Sequence, residues 1–296
     1  MNESANRPIM AVVGAEGMLG SMVRRCLAPT YRVESLDLPE FDLTNREMVR
    51  TVLADLGPEV VVNCSGFTDV DGCESREDEA VLVNGAGPGH LAAAALENGS
   101  ILVHISTDYV FDGRKDEPYT EEDDPHPLSA YGRTKLLGEQ EINASGLERF
   151  FIVRTSWLFG PHGRNFVETV LRLAREREEL RIVADQTGCP TFTRDLAAAL
   201  GQLLETEQFG IYHFANAGRC SWFGFAEEIV RQARSQGDEL RTTSIKPITT
   251  KDYPLPACRP AFSVLSTGKF QRATAADIPS WPDALERYLA LEQEQR

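Results

Sequence analysis

The chain has 296 residues, enough for one large or two modest domains, and 30 basic against 45 acidic side chains give it a formal charge of −15. Nucleic-acid binders present basic surfaces, so this balance argues against one. At 42% hydrophobic and 25% charged it has a soluble globular composition; no apolar run reaches the roughly 20 residues of a membrane helix, and the polar start lacks a signal-peptide core.

In chain order, the apolar run Ile9 to Val13 ends in glycines, and a helix follows from Met18 to Leu27. A second strand runs from Tyr31 to Leu36, and a helix from Asn45 to Leu56 stops at Gly57-Pro58. The strand Val60-Val61-Val62, a helical region to Leu96, the strand Ile101 to Ile105, a helix from Ser129 to Asn143 and the strand Phe151 to Val153 complete the first half. Continuous apolar strands separated by helices predict a parallel sheet buried on both faces, an α/β, Rossmann-type doubly wound fold. Beyond Thr155 come an amphipathic helix, Phe166 to Glu178, a second helix, Phe223 to Arg234, and a proline-rich loop, Lys246 to Pro260; these read as a smaller C-terminal cap. The stretch Asn84-Gly85-Ala86-Gly87-Pro88-Gly89 is too rich in glycine and proline for an ordinary helix and predicts a kink or a restart at Pro88.

Four features carry chemistry. Gly14, Gly17 and Gly20 follow the first strand and open the first helix, an order that lets backbone N–H groups approach a pyrophosphate; the spacing is GxxGxxG rather than GxGxxG. Asp37 closes the second strand, 17 positions beyond Gly20, where a carboxylate accepts from ribose hydroxyls. It also repels a 2′-phosphate, and no Lys or Arg lies between Leu36 and Asn45, so NADH is preferred over NADPH. The small residues of Asn63 to Thr68 let a cofactor pass over the third strand. Tyr131 and Lys135 stand four apart on one helical face, where the ammonium is expected to lower the phenol's pKa, while Thr107, beyond the fourth strand, bonds the reacting carbonyl.

These residues resemble the extended short-chain dehydrogenase/reductase superfamily. More narrowly, Ser106 to Gly113, Arg154-Thr155-Ser156-Trp157, Asp185 to Thr191 and Arg259-Pro260 resemble the dTDP-4-dehydrorhamnose reductase family, in unbroken order from about Met10 to Trp281. The resemblance implies NAD(P)H-dependent reduction of the C4 keto group of dTDP-4-dehydro-β-L-rhamnose to dTDP-L-rhamnose for cell-surface polysaccharide. It implies Tyr131 as proton donor, Lys135 as its activator and ribose anchor, and Thr107 as a partner of both tyrosine and sugar. Gly17, Met18, Leu19, Asp37, Asp42, Leu43, Gly66, Phe67 and Thr68 would line the cofactor. Asp108, Tyr109, Trp157 and Asn165 would contact the nucleotide-sugar, and Arg259 would fork onto its diphosphate.

The expected division is an NAD(P)-binding domain over residues 8–155, with strands near 181–184 and 210–214 joining its sheet, and a substrate-binding domain over 156–180 and 216–296. Some relatives hold a magnesium through a glutamate of the first helix; Ser21 to Arg25 carries no carboxylate, so no metal is expected, and the assembly is a monomer or homodimer. The six cysteines (Cys26, Cys64, Cys73, Cys189, Cys220, Cys258) include no CxxC pair and read as free thiols in a reducing cytoplasm. Alternatives are a related 4-keto-deoxysugar reductase, an epimerase or dehydratase, or a regulatory subunit like the β subunit of methionine adenosyltransferase. The intact Tyr131 and Lys135 favour catalysis, and the Asp185–Thr191 stretch and chain length favour reduction.

Overall fold

A computed structural model describes residues 7–294. Strand β1 (Ile9–Val13) runs through the glycine turn into α1 (Met18–Leu27), and β2 (Arg32–Leu36), α2 (Arg46–Leu56) and β3 (Val60–Asn63) follow. The Asn45 side chain caps α2 by accepting from the Met48 N–H, and Gly57 ends it in a left-handed conformation. Short helices α3 (Val70–Ser75) and α4 (Glu77–Ala80) lead into α5 (Gly87–Asn98), then β4 (Ile101–Thr107), α6 (Ala130–Ala144) and β5 (Phe150–Thr155). A π-helical turn, Val81–Ala86, precedes α5, which starts anew at Gly87 beside the expected restart at Pro88 while the segment stays helical. Pro88 falls in the first turn of α5, where a missing N–H costs no hydrogen bond, and Gly85 and Gly87 let Leu137 and Leu43 press against the backbone.

The second half comprises β6 (Leu158–Phe159), α7 (Phe166–Glu176), β7 (Glu179–Val183), β8 (Thr187–Gly188), β9 (Thr191–Phe192) and α8 (Thr193–Thr206). After these come β10 (Gly210–His213), β11 (Cys220–Ser221), α9 (Trp222–Ser235), β12 (Ser244–Ile248), α10 (Gly268–Thr274) and α11 (Trp281–Glu294).

Six strands form one parallel sheet in the order β10-β5-β4-β3-β1-β2. Alternate strand residues feed opposite cores: Met10, Val12, Val60, Val62 and Val103 pack against α1 and α8, while Ala11, Val13, Val61 and Leu102 pack against α2 and α5. This double burial is why the strands read as unbroken apolar runs. The chain reverses its direction of travel across the sheet between β1 and β3, which opens a crevice at their carboxyl ends.

The strand expected near 181–184 does not join this sheet. It is β7, paired with β12 in a separate two-stranded ladder, because β10 already covers the open edge of β5 and Leu180 packs into the cap core. Lys246 to Ile248, expected within the proline-rich loop, form part of β12; Pro247 is tolerated because each strand of so small a ladder has a free edge. Two further helices, α10 and α11, went unread in the sequence; α10 sets Phe270 into the sheet core beside α8 and β10. Ala284, Leu285, Tyr288 and Leu289 of α11 pack with Val170 and Leu171 of α7 and Phe225 and Ile229 of α9 in the cap core. The two-residue ladder of β6 with β9 joins the halves: Leu158 touches the sheet core and Phe159 the cap core.

Candidate active site

At the crevice, Gly14 adopts φ +75° and donates to the Leu36 carbonyl at 3.0 Å, and a Cβ there would lie 2.7 Å from the Ser65 nitrogen. A Cβ on Gly20 would overlap the Gly14 carbonyl oxygen, so only glycine lets α1 pack this closely on the turn. Gly17 caps α1 without a side-chain bond, and the first turn carries no acidic residue. That leaves uncapped N–H groups and the positive end of the helix dipole, a donor set that fits a dinucleotide's pyrophosphate. Beyond β2, the Asp37 carboxylate accepts from the Glu16 N–H at 3.3 Å, which fixes it beside the glycine turn. Met18 lies against Gly163 of the cap.

The other expected cofactor residues divide by role. Leu19 and Leu43 are buried in the two sheet cores, so only their backbones remain for a ligand. Asp42 is turned back on Thr44, accepting from its hydroxyl at 2.7 Å and its N–H at 2.9 Å, while Thr68 stands exposed at the rim. Gly66 and Phe67 are held by Asn84, which the sequence reading passed over: its Oδ1 accepts from the Phe67 N–H at 2.8 Å, and its Nδ2 donates to the Phe67 carbonyl and the Thr134 hydroxyl. The π-helical turn is what aims this buried amide at the loop after β3. The available signal was a lone asparagine inside an otherwise small and apolar stretch.

Ser129 caps α6 by accepting from the Gly132 N–H, and a Cβ on Gly132 would overlap the Tyr109 carbonyl oxygen. The first turn of α6 therefore seats on the 108–110 turn, bringing Tyr131 to Thr107, Asp108 and Tyr109. Tyr131 meets Tyr109 edge to face at 5.7 Å and packs among Phe67, Cys73, Ala80 and Ala130. Burial pushes its hydroxyl well above the ordinary phenol range; a hydrogen bond with Thr107 partly offsets this, and the charge of Asp108 adds to it.

The pairing of Lys135 with Tyr131 is corrected accordingly. Both share a face of α6, but the Lys135 ammonium donates to the Ile105 carbonyl at 2.6 Å and meets His104 Nε2 at 3.3 Å. It makes no hydrogen bond to Tyr131, and the phenol moves up rather than down. Burial lowers Lys135 itself to about 8 against the opposing pull of Glu139. His104 is held neutral by burial and by Lys135, and Asn63 lies 3.1 Å from its Nδ1. Glu139, one turn beyond Lys135, forms a buried fork with Arg154 of β5 at 2.6 and 2.9 Å and accepts from Ser106, locking α6 to the sheet.

Thr107 is buried; its hydroxyl donates to Asp108 Oδ1 at 3.1 Å and accepts from the Tyr109 N–H at 3.2 Å. Trp157 holds φ +47°, unusual for a side chain of its size, and stacks flat on Trp222 of α9 at 3.5 Å, with Gly188 leaving room for its ring. Asn165 has a structural job: Oδ1 caps α7 through the Glu168 N–H and Nδ2 donates to the Gly160 carbonyl at 2.9 Å, which occupies the amide expected to meet a sugar. The Arg259 fork, expected to take phosphate oxygens, closes on Asp71 of α3 at 2.7 and 3.1 Å and is also bonded to Tyr109. Beside it opens a cavity of about 660 Å³ lined by Phe166, Trp222, Gln186, Arg177 and Arg181.

A doubly wound parallel sheet, a glycine turn at its reversal point and a Tyr/Lys helix beside a strand-end threonine define a Rossmann-type nicotinamide oxidoreductase. The chain belongs to the RmlD substrate binding domain family, whose profile matches residues 9–294. A dTDP-4-dehydrorhamnose reductase of Burkholderia thailandensis is 42% identical over 281 residues, covering 91% of this chain and 94% of that protein. The crystal structure of such a reductase from Clostridium acetobutylicum superposes with a TM-score of 0.91 at 39% identity, covering 96% and 99% of the two chains. A third, from Bacillus anthracis in complex with NADP, gives 0.92 at 36% identity with the same coverage.

Proposed function

We propose that the protein reduces the C4 keto group of dTDP-4-dehydro-β-L-rhamnose to give dTDP-L-rhamnose, as the names of its relatives and its site chemistry agree. The observation that carries this reading is the placement of Tyr131, half-buried at the start of α6, beside Thr107, Asp108 and Tyr109 at the carboxyl end of β4. A reduction needs an acid at the carbonyl oxygen; a phenol is protonated at neutral pH, and the bond with Thr107, which pulls against the effect of burial, favours giving that proton up. Residues 8–155, with β10 added to their sheet, would hold the cofactor; 156–180 and 216–296 would hold the nucleotide-sugar, in a monomer or homodimer working in the cytoplasm.

Bound NAD(P)H supplies the hydride. The protein's own residues do the rest: the Gly14–Gly20 turn and the N-terminus of α1 bind the pyrophosphate, and Asn84 sets the 66–68 loop beneath it. Tyr131 gives a proton to the C4 oxygen while Thr107 stabilises the charge developing there. Asp108 and Tyr109 position the sugar hydroxyls, and Trp157 covers the ring. NADH is preferred, because Asp37 is fixed where an adenosine 2′-phosphate would meet it. The test is to mix the purified protein with reduced cofactor and dTDP-4-dehydro-β-L-rhamnose. Consumption of one NAD(P)H per dTDP-L-rhamnose formed is expected. A stable bound cofactor with sugars interconverted and no net oxidation would contradict it.

A further inference from the structure

Helix α6 carries Tyr131, yet it has few buried apolar anchors. Of its fully buried residues only Ile142 is a large aliphatic; the others are alanine, glycine, threonine, Lys135 and Glu139. Apolar contact is non-directional, and so small an apolar face does not fix how far a helix slides along a sheet. Directional bonds do so here. Lys135 meets His104 Nε2 at 3.3 Å and donates to the Ile105 carbonyl at 2.6 Å, both on β4. Glu139, one turn further along α6, takes the next residue of the strand, whose Ser106 hydroxyl donates to its Oε1 at 2.5 Å.

Ser106 stands opposite Arg154 in the β4–β5 ladder, so Glu139 lands on a cross-strand pair. Arg154 forks onto both carboxylate oxygens at 2.9 and 2.6 Å, and its remaining nitrogen lies 3.4 Å from Nε2 of His213, which burial holds neutral. Ser106, Glu139 and Arg154 are each only 2–3% exposed. Two opposite charges this deep are costly to desolvate, and apolar residues of similar volume would serve stability about as well. An apolar pair could not bond Ser106 in one place, and Thr107 is the residue that follows it.

We propose that Glu139 is a positioning residue for the reduction: with Arg154 and Ser106 it sets the place of α6 along β4, and so of Tyr131 and Lys135 against the turn that begins at Thr107. The inference rests on the reductase reading above and gives a function to a buried charge pair that the reaction itself does not use.

The same carboxylate acts on Lys135 electrically. The groups facing that ammonium are His104 on β4, held neutral, Cys64 beyond β3, raised by burial to about 12, and Tyr131 and Glu139 on α6. Glu139 is the one among them that is ionised at neutral pH, and it opposes the burial that lowers Lys135 to about 8. Removing its charge also leaves Arg154 uncompensated, so Lys135 loses its proton at a lower pH.

The experiment measures kcat, the KM for the nucleotide-sugar and the pH dependence of NAD(P)H affinity in Glu139→Gln and Ser106→Ala. Rates are counted per cofactor-binding site, so that a smaller folded fraction does not register. Glu139→Gln should lower kcat about tenfold or more with the sugar KM within about twofold, since a misplaced reacting group costs rate rather than affinity. The fall in cofactor affinity as Lys135 loses its charge, near pH 8 in wild type, should move to lower pH in Glu139→Gln. Ser106→Ala leaves the ion pair whole and decides the matter even if Glu139→Gln fails to fold: kcat should drop about threefold or more, with the affinity limb where wild type has it. An affinity limb that is absent or unmoved in Glu139→Gln, or a wild-type kcat in Ser106→Ala, overturns the proposal. If the wild type reduces no 4-keto sugar, the functional reading fails, while the cofactor-affinity profile still decides the role of Glu139.

Discussion

Tyr131 illustrates how burial first, then a hydrogen bond and the nearby Asp108, set the state of a side chain, rather than the lysine one turn away. The i to i+4 spacing of Tyr131 and Lys135 is visible in the sequence, but spacing fixes a shared face and not the direction of a four-carbon side chain. The structure sends the ammonium to the Ile105 carbonyl and His104, partners 30 and 31 positions away and not legible from any local motif. The same limit applies to Arg259, whose fork meets Asp71 across 188 positions, and to Asn84, which reaches Phe67 and Thr134. The backbone demands on Gly14 and Gly20 were readable, and motif position sufficed to place Asp37 beside the glycine turn and Thr107 at the end of β4. Asp37 gives a residue-scale prediction. Asp37→Ser should raise kcat/KM for NADPH relative to NADH by about tenfold, roughly 1.4 kcal/mol, by removing a like charge facing the 2′-phosphate. A ratio unchanged by the substitution would show that the carboxylate does not select the cofactor.

Elements position the site by close backbone approach, and the helices that matter begin at glycines or small caps. The β1–α1 junction depends on Gly20 lying against the Gly14 carbonyl, and the α6–turn junction on Gly132 lying against the Tyr109 carbonyl. Gly20→Ala should therefore cost about 1–3 kcal/mol of stability through forced displacement of the turn, with cofactor affinity falling as the N–H groups move. Denaturant unfolding and cofactor titration measure both; an alanine variant that binds cofactor as wild type does would contradict the role given to the turn. The glycine-rich stretch before α5 shows how much composition says: the restart at Gly87-Pro88 was legible, the π-helical turn before it was not. That one wider turn converts the irregularity into the placement of Asn84. The strand at 179–183 was visible but its partner was not, because period and composition do not say which edge a strand will find.

At the scale of the whole molecule, the sheet and cap share a seam rather than a linker. Leu158 and Phe159 place neighbouring side chains in the two cores, Arg287 of α11 pairs with Asp195 of α8 at 2.7 Å, and Arg259 ties the 257–260 segment to α3. Phe192→Ala, at a fully buried cap position beside this seam, should cost about 3–5 kcal/mol and leave a single unfolding transition. Two separated transitions in calorimetry would show that the halves unfold independently. Such coupling matters because the proposed site draws on both halves: Tyr131 stands on α6 and Trp157 packs with Trp222 at the cap core. The central claim, that Tyr131 is the acid of a 4-keto-sugar reduction, is tested most directly by following NAD(P)H consumption with Tyr131→Phe. The account predicts a kcat reduced about 10²–10⁴-fold with cofactor affinity unchanged; turnover at the wild-type rate would contradict it.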